Sequence, residues 1–161
     1  MIADPDVLKY FQRLEEDVSK LYVVAKGARE KGYDAVNDTE IYKASDLAAR
    51  VEGLLGIKGV AARIRELDAK MSREETAFKI IEEIVNGKFG SYEDWVAADY
   101  ALRTALAIVT EGITAAPLQG IEKIEIKRNL DNTSYLAVHY AGPMRSAGGT
   151  EQALTVLFAD H

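Results

Sequence analysis

The spacing of apolar residues changes period at Pro117. Before it, apolar positions return every three or four residues, as on a helix with one covered face. After it, Ile121, Lys123, Glu125 and Lys127 alternate with Glu122, Ile124, Ile126 and Arg128, and Tyr135–Tyr140 follows a turn-rich Asn129–Thr133. That is a hairpin of two strands. A lone hairpin is marginal in water, so it should lie on the helices or join further strands. The fold class this predicts is α+β: mainly helical, with a C-terminal β-hairpin and a Gly-rich loop leading into a last helix. The division expected is a helical part over 1–115 and a hairpin, loop and helix start over 116–161, together forming one compact N-terminal domain of a longer protein.

The helical part carries local start and stop signals. Asp4 before Pro5 reads as a cap followed by a proline that loses no intrahelical bond. Leu8, Phe11, Leu14, Val18, Leu21 and Ala25 then form one stripe up to Gly32, preferred as a core-facing stripe over a partner-docking one. Residues 33–44 read as a loop. Ser45 is the expected cap of a helix carrying Leu47, Val51, Leu54 and Leu55 and ended by Gly56, and a second helix carries Val60, Ile64 and Leu67. Ser72 with Glu75 has capping-box spacing, ahead of a helix that stops at Asn86-Gly87. Ser91 is expected to begin another helix running to Gly112, and Thr150 to cap the last one. The chain reaches His161 with no closing signal, from which a continuation is inferred.

Composition narrows the chemistry. The 161 residues include no Cys and two His, which removes disulfides, thiolate zinc sites and a Cys nucleophile, and makes a protein-built transition-metal site implausible. The formal net charge is −6, so any nucleic-acid contact must be local. Only four basic groups fall in residues 116–161. No apolar run approaches the ~20 residues of a membrane span and no signal peptide is apparent, so a soluble, cytoplasmic chain without membrane contact is expected.

Two stretches could bind an anion. The first, Ala141–Thr150, places three Gly, Arg145, Ser146 and Thr150 between a strand and a helix, where free amides and the helix dipole favour a phosphate or a carboxylate. Its alternative is a tight turn in which Arg145 pairs with an internal acid. Arg145, Ser146, Gly148, Gly149 and Thr150 are the candidate residues for contacting the DNA backbone or bracing a domain. The second is Gly56, Lys58, Gly59 and Arg63, a Gly-x-x-Gly turn through which a phosphate could approach the backbone. A plain helix–helix turn is the preferred reading there. Glu15-Glu16, Glu74-Glu75 and Glu82-Glu83 are adjacent in helices, point apart, and read as solvated faces. His139, His161, Tyr92 and Trp95 read as structural. The sequence offers no catalytic centre and no metal site.

The block Tyr140–Leu154 resembles the N-terminal region of the large subunit of archaeal family D DNA polymerase. Ala48–Leu54, Gly59–Leu67, Gly87–Gly90 and Arg103–Gly112 are similar to the same region in the same order, and the likeness spans residues 7–160. Met144 stands where Ile is more usual in that family, and 32–44 is poorly matched. The resemblance implies a replicative DNA polymerase as the parent, using Mg²⁺ at aspartates far downstream and working on primer-template DNA. It also implies a small subunit with 3′–5′ exonuclease activity. This chain would be a non-catalytic accessory or structural domain packed on the rest of the large subunit, with bracing slightly preferred over DNA contact. The alternative is a helical assembly module that mediates self-association or binds a partner subunit.

Overall fold

Asp4 accepts a 2.8 Å hydrogen bond from the Asp6 amide, Pro5 follows, and helix α1 runs Pro5–Glu30. A computed structural model describes residues 4–33, 44–110, 119–147 and 149–161. The chain divides into two compact units, Met1–Tyr42 and Lys43–His161. In the first, no residue of α1 is buried, and Leu8, Phe11, Leu14 and Leu21 are all exposed. Within this unit, the described residues do not cover the stripe expected to face a core. Most of the loop expected after it lies outside them.

In the second unit α2 spans Leu47–Leu55. Its cap is Asp46 rather than Ser45: the Asp46 carboxylate accepts from the Ala49 amide at 2.7 Å and pairs with Arg65 at 2.7 Å. An ionised carboxylate held by a cation outcompetes the neighbouring hydroxyl. Gly56 ends α2 at φ +71, a left-handed conformation that disfavours a side chain. Helix α3, Val60–Asp68, packs beside it, and α4, Arg73–Val85, opens with the full Ser72/Glu75 capping box. Helix α5, Asp94–Val109, starts after Glu93 rather than at Ser91. The Tyr92 ring turns back instead, meeting Tyr100 edge-on with centroids 5.1 Å apart. It stops at Val109, with Thr110 already extended, three residues short of the expected end at Gly112, which itself lies outside the described residues.

Strands β1, Ile121–Arg128, and β2, Ser134–Tyr140, form the expected antiparallel hairpin with Ile124 opposite Val138 and Ile126 opposite Leu136. The register breaks between Ile121 and Lys123. Strict alternation would put Ile121 and Ile124 on opposite faces, and the irregularity lets both be buried. In the turn, Asp131 accepts from the Thr133 amide at 3.0 Å and its hydroxyl at 2.6 Å.

The Gly-rich stretch is not an open loop. Gly142–Ala147 forms a short helix, α6, and α7 spans Gly149–Asp160, so Thr150 lies within the last helix rather than capping it. One core joins helices and hairpin: Val51, Val60, Ile64, Ile80, Ile84, Leu102, Leu106, Ile108, Ile121, Met144 and Phe158 are all buried. Alanines at 97, 101, 105 and 107 make α5 slim enough to run through its middle.

Candidate functional site

The α6–α7 junction is built from the inside. Gly142 takes φ +52 as the chain leaves β2, and the Ala141 amide donates to the Gly120 carbonyl at 2.9 Å. Met144 plugs the core and is 1% exposed. The Gln152 side-chain amide on α7 reaches back to the Met144 carbonyl at 2.6 Å, satisfying a backbone acceptor at the end of α6. The Tyr140 hydroxyl donates to the Gln152 carbonyl at 3.3 Å, and burial pushes that phenol above its usual value. The two residues after Met144 face outward. Arg145 is exposed and has no ion-pair partner among the described residues, so the internal Arg145–acid pair is not present there. Ser146 is exposed too, its hydroxyl 3.4 Å from the Gly142 carbonyl. Gly149 and Thr150 are exposed in the first turn of α7, and Gly148 lies outside the described residues.

At the Gly-x-x-Gly turn, two amides and the Arg63 side chain are engaged internally. Gly59 takes φ +90, and the amides of Gly59 and Ala61 donate to one Glu52 carboxylate oxygen at 3.0 and 2.8 Å. This carboxylate sits where an anion would bind, at the positive end of α3. Arg63 gives its Nε to Glu83 at 2.9 Å and one terminal nitrogen to Glu66 at 2.6 Å. Lys58 and Gly56 remain exposed.

Glu83 is not on a solvated face. Its side chain is 11% exposed between Arg63 and Lys88, and the Arg63 guanidinium, with Lys88 behind it, holds its carboxyl below the ordinary range. Glu75 is used in the capping box. On the hairpin, Lys123 and Lys127 flank Glu125 and depress its pKa to about 2, with His139 Nε2 2.8 Å away. Arg103 clasps Asp99 at 2.8 Å and donates to the Ile121 carbonyl at 3.0 Å, tying α5 to β1. Among the described residues, no three His, Asp or Glu side chains are grouped to hold a metal ion. No helix among them is long and apolar enough to cross a membrane.

Residues 9–161 match the family described as DNA polymerase II large subunit DP2, N-terminal. The chain belongs to this family. It is 52% identical over 159 residues to the DNA polymerase II large subunit of Methanococcus maripaludis, covering 99% of this chain and 14% of that protein. The Pyrococcus furiosus large subunit is 51% identical over 159 residues, covering 97% and 13%. The Halobacterium salinarum one is 50% identical over 153 residues, covering 94% and 11%. The chain thus spans about one-seventh or less of the large-subunit relatives it matches. Within this DP2 N-terminal region, the sequence missed Glu52, Met144 and Gln152 as organising residues. The available signal was their position inside the Ala48–Leu54 and Tyr140–Leu154 blocks.

Proposed function

We propose that this chain is a non-catalytic N-terminal part of an archaeal replicative DNA polymerase large subunit, and that its α6–α7 surface braces another part of that enzyme. The parent would extend primer-template DNA in the cytoplasm with Mg²⁺ bound elsewhere, beside a small 3′–5′ exonuclease subunit. Among the described residues, no three His, Asp or Glu side chains are grouped to hold that ion.

One observation carries the bracing role: Arg145 is an exposed cation on the short helix α6, held by buried Met144 and by Gln152. A planar guanidinium presented in this way suits a carboxylate or a carbonyl cluster on another polypeptide surface. The DNA-contact reading has less to draw on. Phosphate affinity depends on the number of cations, and this chain carries a net charge of −6. The Gly59 and Ala61 amides at the Gly-x-x-Gly turn are already held by Glu52.

The test uses the isolated chain with labelled primer-template at low and high salt, and the reconstituted polymerase carrying Arg145→Glu. Bracing is supported by negligible DNA binding of the chain together with a less heat-resistant mutant polymerase. Salt-steep DNA binding by the chain, abolished in Arg145→Ala, would overturn bracing in favour of backbone contact.

A further inference from the structure

Strand β2 has one edge in use. The Asn129 amide donates to the Thr133 carbonyl at 2.8 Å, so these two residues form a hydrogen-bonded pair of the ladder. Such pairs recur at every second residue, which makes Tyr135, Ala137 and His139 the residues bonded to Lys127, Glu125 and Lys123. Leu136 and Val138 therefore turn their amides and carbonyls the other way, to an edge where no strand lies among the described residues.

The two outer edges of the hairpin are not alike. Five of the eight residues of β1 are charged, and charge along an edge discourages further pairing. None of the seven in β2 is an acid, Lys or Arg. Along that uncharged edge runs a groove with Leu136 and Val138 of β2 on one side and Val156 and Ala159 of α7 on the other. Val156 is 60% exposed there. Asp160 is the charged residue of the lining, and it has no ion-pair partner among the described residues.

A row of unpaired backbone groups beside an apolar groove fits an extended peptide, whose main chain completes the ladder while alternate side chains enter the groove. A covering helix has its own backbone bonds closed and would leave the Leu136 and Val138 groups unsatisfied. The Asp160 carboxylate calls for a Lys or Arg opposite it. This chain spans about one-seventh or less of its large-subunit relatives, and a segment of the same polypeptide meets the edge at an effective concentration that a free peptide lacks.

We propose that an extended segment from the rest of the large subunit joins β2 as a third strand, with apolar residues against Val156 and a Lys or Arg beside Asp160. The proposal deepens the bracing reading and rests on it, because α7 contributes to both surfaces.

Hydrogen exchange at single amides, read by mass spectrometry, compares the 161-residue chain with the assembled polymerase. In the polymerase, Leu136 and Val138 should exchange more slowly than in the chain alone by on the order of a hundredfold, because each gains a hydrogen bond. Ala137 and His139, already bonded to β1, should change far less. Val156→Asp in the polymerase should return Leu136 and Val138 toward the rates of the isolated chain. The isolated variant should melt with the wild type, since position 156 is exposed. Protection gained around Arg145 but not at Leu136 and Val138 would overturn the third strand and leave bracing in place. Equal slowing of all four strand amides would overturn it as well, because a general stiffening of the hairpin would then account for the change. No gain anywhere on β2, α6 or α7 would overturn both readings.

Discussion

Replacing Glu52 with Ala removes the one carboxylate oxygen that receives the Gly59 and Ala61 amides at 3.0 and 2.8 Å. These amides lie at the start of α3, where the helix has no internal acceptor for them. Losing a side-chain cap costs about 0.5–2 kcal/mol, and Ala returns a few tenths through its better helix propensity. The net is about 1 kcal/mol, because the turn is partly wet and water can replace some of what is lost. For a unit of roughly 100 residues this lowers the melting temperature by about 5 °C. The assay is thermal unfolding followed at 222 nm, with hydrogen exchange of individual amides as the local readout. Glu52→Ala should melt lower and speed exchange at Gly59 and Ala61. Lys58→Ala, in the same turn but exposed, should do neither. If Glu52→Ala melts with the wild type and both amides keep their protection, the carboxylate is not the cap described here.

Met144→Ala empties a position that is 1% exposed, and should destabilise the second unit by about 2–4 kcal/mol in a urea titration. The depressed carboxyl of Glu83 gives a pH dependence. Its contribution is complete above the unfolded carboxylate value and disappears as acid titrates first the unfolded and then the folded group. Melting temperature should therefore fall below about pH 4.5, and Glu83→Gln should flatten that slope while lowering stability at neutral pH.

What the sequence made legible was local. The Asp4-Pro5 start, the Ser72/Glu75 box and the Gly56 stop depend on neighbours within four residues, and each stands in the structure. The hairpin was legible because β1 and β2 flank a turn whose Asp131 and Thr133 bond to each other. The rest was decided by distant chain. Ser45 and Asp46 are both capable caps, and it is Arg65, nineteen residues from Asp46, that favours the acid. Arg63 meets Glu83 across twenty residues, and no periodicity announces that pairing. The glycines of Ala141–Thr150 predict a loop, yet buried Met144 and the reach of Gln152 hold Gly142–Ala147 as a helix. The β1 irregularity was hidden for the same reason: burying both Ile121 and Ile124 serves the core, not the strand.

The bracing role of the α6–α7 surface meets its most direct test in calorimetry. The isolated chain is titrated into a large subunit from which this N-terminal region has been deleted, already assembled with its small subunit. The account expects saturable one-to-one binding that Arg145→Glu weakens at least tenfold. No heat from the wild-type chain, or identical binding by the variant, would contradict it.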